Sequence, residues 1–216
     1  MAEARPRRLL ATLFARFDGT VLRVAPPGQP GAPLQSPTAD QHRRWAPLQN
    51  WCMNGAGGGR GPQTRLSVAL WTAEPGSPQE ALVEAFSRHL DGSHQLLAAG
   101  GALAGGLLRL RVKACDMAWW RSRRATDPWD CGYVVNGPAV RDALARFNPR
   151  RATLMVALGW SQADLDEALT QLARSSAHWA HAVRWLVVQG RDQDLAGQPR
   201  LGGLPLTRIQ PVDTER

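Results

Sequence analysis

The sequence predicts an α+β fold built from two strand–helix–strand units. Each unit opens with a short apolar strand, continues with a capped amphipathic helix and ends with a second strand. The predicted strands cover Leu66–Leu70 and Leu108–Lys113 in the first unit, and Leu154–Leu158 and Ala182–Val188 in the second. Two such units correspond to the halves of a ferredoxin-like layer. We therefore expect an antiparallel sheet with its helices on one face.

Both central helices begin with residues that cap a helix N-terminus. Ser77 is followed by Pro78 at the first helical position and by Glu80 three residues after the cap, which predicts a capping box. Ser161 opens the second helix with the same kind of cap. Apolar residues recur at helical spacing after both serines, so each helix should bury one face.

The two return strands differ in their side chains. Along Leu108–Lys113 the apolar residues alternate with Arg109, Arg111 and Lys113, so one side of this strand is entirely basic. The second return strand, Val183–Val188, is more apolar and should lie in the middle of the sheet. If the sheet has an open face, a row of basic side chains on it suits a nucleic-acid strand.

Length and charge narrow the class of protein. With 216 residues, the chain is a single compact unit, or an N-terminal part over residues 1–115 packed against a C-terminal part over 116–216. The formal charge of +8 favours a polyanionic partner, and nucleic acid comes first among these. All but one of the 26 basic residues are arginine, a bias that suits phosphate binding but also arises from GC-rich codons.

Other classes of site have little support in the sequence. The three cysteines lie far apart, without a CxxC pair or a Cys/His cluster, which predicts reduced thiols and a cytoplasmic protein. His178 and His181 are three residues apart, but no third ligand lies near them, so we expect no metal site. No nucleotide-binding or hydrolase motif occurs, and no apolar run is long enough to span a membrane. We therefore expect neither a cofactor nor a membrane partner.

The strongest candidate binding segment combines the basic strand with the aromatic and basic residues that follow it. Phosphates need cations and unpaired bases need flat side chains on which to stack, and this segment has both. The predicted nucleic-acid-binding residues here are Arg109, Arg111, Lys113, Trp119, Trp120, Arg121, Arg123 and Arg124. A solvated edge strand followed by a pair of core tryptophans is the alternative interpretation.

A candidate catalytic group lies on a predicted N-terminal helix, which begins at Thr38 or Asp40. Cleavage of RNA without a metal needs a general base for the 2′-hydroxyl and a cation for the phosphorane charge. His42 with Arg43 or Arg44 has the side chains to supply both. An exposed polar helical turn without a catalytic role is the alternative.

The two predicted units, the basic strand and a glycine-bearing tail resemble the RAMP superfamily of CRISPR-associated proteins. The tail is Gln198-Pro199-Arg200-Leu201-Gly202-Gly203-Leu204-Pro205, in which Arg200, Gly202 and Gly203 match the family's glycine-rich loop. The resemblance implies an RNA-binding protein of antiviral defence, with Arg200 among its RNA contacts and His42 similar to the catalytic histidine of processing members. It implies either an endoribonuclease that cuts repeat RNA without metal or a subunit that caps a guide RNA in a ribonucleoprotein complex.

A second hypothesis belongs to another class of protein. The tryptophans and arginines are also typical of protein interfaces, where they anchor one subunit on another. On this interpretation the chain is a non-catalytic interaction subunit of a larger assembly.

Overall fold

The computed structural model describes residues 17–26, 36–54, 65–73, 76–93, 127–190 and 194–210. The strands are β1 (Leu66–Thr72), β2 (Asp130–Val134), β3 (Thr153–Leu158), β4 (Val183–Gln189), β5 (Arg200–Leu201) and β6 (Leu204–Ile209). The α-helices are α1 (Ala39–Met53), α2 (Pro78–Leu90), α3 (Pro138–Ala145) and α4 (Gln162–Ser176). A short 3₁₀ turn, Asp194–Gly197, lies between β4 and β5. The prediction of a fold that combines helices with one sheet is confirmed.

The six described strands form one mixed sheet in the order β2-β3-β4-β1-β6-β5. Four of its pairings are parallel: β2 with β3, β3 with β4, β4 with β1, and β1 with β6. Only the short β5–β6 hairpin is antiparallel. The prediction of an antiparallel ferredoxin-like sheet is therefore wrong for the described strands.

Helices cover both faces of the sheet, which corrects the prediction that they lie on one. The helices α3 and α4 pack on one face in a cluster that includes Leu144, Leu169 and Trp185. The helices α1 and α2 pack on the other face in a cluster that includes Trp45 and Phe86. The described part of the chain is thus a three-layer arrangement of helices, sheet and helices.

Burial along the central strands explains why the sheet is mostly parallel and covered on both faces, and not antiparallel with one open face. Every residue of β4 is buried, and five of the six residues of β3 are buried as well. A strand that is buried on both faces is typical of parallel sheets, because the crossover helices cover each side. The apolar run Val183–Val188 therefore indicates two things: the strand is central, and helices cover it on both faces. Its predicted central position, between β3 and β1, is confirmed.

The predicted helix caps at Ser77 and Ser161 are confirmed, but the capping box predicted at Ser77 is incomplete, because the Glu80 carboxylate accepts from the backbone N–H of Gly76 instead of that of Ser77. Ser77 Oγ accepts from the backbone N–H of Glu80 at 3.3 Å, and Ser161 Oγ accepts from that of Asp164 at 3.2 Å. A full capping box forms between Thr38 and Gln41 at the start of α1.

The helix α1 runs through Pro47, which cannot donate a backbone hydrogen bond, and continues to Met53. One described element was not expected from the sequence. The strand β2 was not predicted, although Cys131, Gly132, Tyr133 and Val134 form a short run that the structure buries completely. Its pairing with β3 makes the segment from β2 through α3 to β3 a further strand–helix–strand unit.

A buried arginine joins the sheet to α1. The side chain of Arg184 in β4 is fully buried. Its Nε donates to the carbonyl of Cys52 at 3.2 Å, its Nη2 to the carbonyl of Asn54 at 2.8 Å, and its Nη1 to that of Val183 at 3.3 Å. Burial lowers the pKa of Arg184 from its usual value. Two of the acceptors lie at the C-terminal end of α1, where carbonyls lack helical partners and the helix dipole favours a cation.

No helix among the described residues is both long enough and apolar enough to cross a membrane.

Replacing Arg184 should destabilise the fold through these carbonyls. In Arg184→Met the aliphatic volume is largely kept, but the carbonyls of Cys52 and Asn54 lose a charged donor in a buried site. We expect the free energy of unfolding to fall by about 2–4 kcal/mol, measured by urea denaturation. Arg174→Met on the exposed side of α4 is the matched control and should change it by less than about 0.5 kcal/mol. Equal unfolding midpoints for the two variants would contradict the anchoring role of Arg184.

Candidate nucleic-acid interface

Eight of the predicted nucleic-acid-binding residues lie in one segment, residues 94–126, outside the described residues. They are Arg109, Arg111, Lys113, Trp119, Trp120, Arg121, Arg123 and Arg124. What the structure describes is the fold on either side of this segment.

The two ends of segment 94–126 meet at one corner of the fold. The backbone N–H of Trp129, shortly after the segment, donates to the carbonyl of Leu90 at the end of α2, at 2.9 Å. Gly92, shortly before the segment, lies so close to Pro128 that a Cβ added to it would stand 3.5 Å from the proline Cβ. The segment therefore leaves and rejoins the described fold at a single place, between α2 and β2.

The arginines of this corner already have carboxylate partners. Arg150 binds Asp130 through two hydrogen bonds, of 2.7 and 3.0 Å, and Arg151 Nε lies 3.4 Å from the same carboxylate. A bidentate arginine–carboxylate pair holds its geometry well. We therefore assign Arg150 and Arg151 to the fold rather than to phosphate binding.

The basic excess of the chain lies almost entirely outside the described residues. The described residues contain 13 arginines and no lysine against 12 aspartates and glutamates, whereas the remaining residues contain 13 basic against 6 acidic side chains. Segment 94–126 alone has six basic residues and one acidic residue, Asp116. The charge that favours a polyanionic partner is thus concentrated in this segment.

The predicted catalytic histidine lies in a small aromatic cluster between two helices. His42 in α1 is exposed, and its ring centroid lies 4.9 Å from that of Trp45 and 5.1 Å from that of His89 in α2. His89 stacks on Trp45 at 5.3 Å with 28° between the ring planes. Trp45 itself is fully buried and continues into the core through Phe86. The structure thus brings together two titratable imidazoles from different helices.

The two arginines that follow His42 point to different sides of α1. Successive residues of an α-helix are rotated by about 100°, so Arg43 lies about a quarter turn from His42 and Arg44 lies beyond half a turn. Arg43 is exposed and Arg44 is half-buried. Of the two, Arg43 is therefore the one placed to share a ligand with His42.

In the sequence, His89 falls on the apolar side of its helix, which is typical of a packing residue, and its stacking on Trp45 agrees with that pattern. Its approach to His42 was missed. The contact joins residues 47 positions apart on separate helices, and no periodicity in the sequence reports how α1 packs on α2.

The glycine-bearing tail forms a tight hairpin. Gly202 and Gly203 join β5 to β6 with φ of +55° and +77°, a left-handed conformation that glycine adopts without strain. The backbone N–H of Gly202 donates to Asp166 Oδ1 at 2.6 Å, which fixes the hairpin to α4. Arg200 is exposed on β5. The geometry of the hairpin thus explains why both positions are glycine. Arg200 remains accessible to a ligand.

The described tryptophans belong to the core. Trp45, Trp51 and Trp129 occur in basic or irregular stretches of the sequence, where an exposed tryptophan would be a platform for base stacking, but the structure buries all three. Only Trp119 and Trp120, in segment 94–126, lie outside the described residues.

The described cysteines and acidic residues offer little for nucleophilic or metal chemistry. Cys52 and Cys131 are buried and free, and burial raises the pKa of both thiols. Within the described ranges, no three histidine, cysteine, aspartate or glutamate side chains are grouped so that they could hold a metal ion. Asp164 has a lowered pKa because the side chains of Ser161 and Asn136 donate hydrogen bonds to it, in an ion pair with Arg141.

No family model matches the chain, and no curated protein or solved structure is significantly similar to it.

Replacing Gly202 by alanine should destabilise the fold more than replacing Gly203. A Cβ at Gly202 would stand 2.5 Å from Leu169 Cβ, whereas one at Gly203 would meet nothing within 4 Å. Both substitutions impose a left-handed backbone on alanine, but only Gly202→Ala also forces α4 and the hairpin apart. We expect Gly202→Ala to lower the free energy of unfolding by about 2–5 kcal/mol and Gly203→Ala by about 1 kcal/mol. Urea denaturation of both variants tests this order, and a larger loss for Gly203→Ala would contradict it.

Proposed function

We propose that the protein binds single-stranded RNA in the cytoplasm through segment 94–126. The observation that carries the proposal is the division of charge: the described residues are nearly balanced, and the basic excess is concentrated in one segment that also contains Trp119 and Trp120. Arginine binds phosphate and tryptophan stacks on unpaired bases.

The position of the segment supports the proposal. The described residues on either side of the segment meet between α2 and β2, so both of its attachments lie at that corner of the fold. A chain attached at both ends to one place loses less entropy than a free tail of the same length when its cations gather around one phosphate backbone.

The mode of binding differs from the one that the sequence predicted. Helices cover both faces of the described sheet, so its centre offers no open face to RNA. Binding by a connecting segment needs no open face, because the arginines contact the phosphates directly.

The resemblance to the RAMP superfamily extends the proposal to the kind of RNA. A CRISPR repeat or guide RNA, held alone or within a ribonucleoprotein complex, is the RNA that this resemblance implies. After the correction of the sheet, its support consists of the basic segment, exposed Arg200 and the position of His42 on the first described helix.

Removing three charges from the segment should weaken RNA binding in a salt-dependent way. In the triple variant Arg109→Ala, Arg111→Ala, Lys113→Ala, we expect a lower affinity for RNA. The slope of log K against log [salt], where K is the association constant, should be shallower by about 2. Fluorescence anisotropy with a labelled single-stranded RNA of randomised sequence, at several salt concentrations, measures both quantities.

The matched control removes the same charge from the described fold. The triple variant Arg23→Ala, Arg146→Ala, Arg174→Ala changes three exposed arginines and should leave the slope within experimental error of the wild type. Equal slopes for both triple variants would show that net charge, rather than segment 94–126, determines binding. A wild-type protein that purifies without nucleic acid, fails to bind the RNA and elutes with a protein partner would instead favour the interaction-subunit hypothesis.

A further inference from the structure

We draw no further inference here: the strongest candidate, the carboxyl-end edge of the sheet where Gln189 of β4 has a side-chain oxygen without a hydrogen-bond partner next to the start of α4, carries no ligand assignment, because that oxygen is buried out of contact with solvent and the loops that follow β1 and β4 lie partly outside the described residues.

Discussion

A single buried cation joins the end of α1, the first described helix, to the sheet. Arg184 stands in the middle of the sheet with no exposed surface, and a guanidinium in such a place must have all its strong donors turned toward oxygen. The carbonyls of Cys52 and Asn54 at the end of α1 accept two of these hydrogen bonds, and the carbonyl of Val183 accepts another. These hydrogen bonds tie the C-terminal end of α1 to β4, in addition to the apolar packing of α1 against the sheet.

The candidate site depends on that fixed position. With one end of α1 held by Arg184 and the other closed by the capping box at Thr38, the helix has a defined register on the sheet. That register places Trp45 against α2 and brings His42 to within 5.1 Å of His89, centroid to centroid. A shift of one residue along α1 would rotate His42 by about 100° and separate the two imidazoles. The anchor at Arg184 and the contact between His42 and His89 are therefore linked, although they lie at opposite ends of the same helix.

Local signals in the sequence predicted the elements well, and the topology poorly. The caps at Ser77 and Ser161 and the central position of Val183–Val188 follow from short stretches of chain, and the structure confirms them. The direction of strand pairing does not follow from such stretches, because burial on both faces depends on which helices come to cover a strand. The approach of His42 to His89 is likewise a consequence of helix packing, and sequence reasoning could identify only one partner.

The arginines of the described layers differ from those of segment 94–126 in how many acidic residues accompany them. In the described layers, Arg88 pairs with Glu84, Arg141 with Asp164, and Arg150 with Asp130, so these guanidinium groups are already engaged. An arginine held in this way gains little from a phosphate, since it must first give up its carboxylate. Segment 94–126 contains six basic residues and a single acidic one, so its cations have few internal partners in their own stretch of chain. The net charge of the sequence over 94–126 is therefore the reason why the proposed RNA contacts are assigned to this segment and not to the described layers.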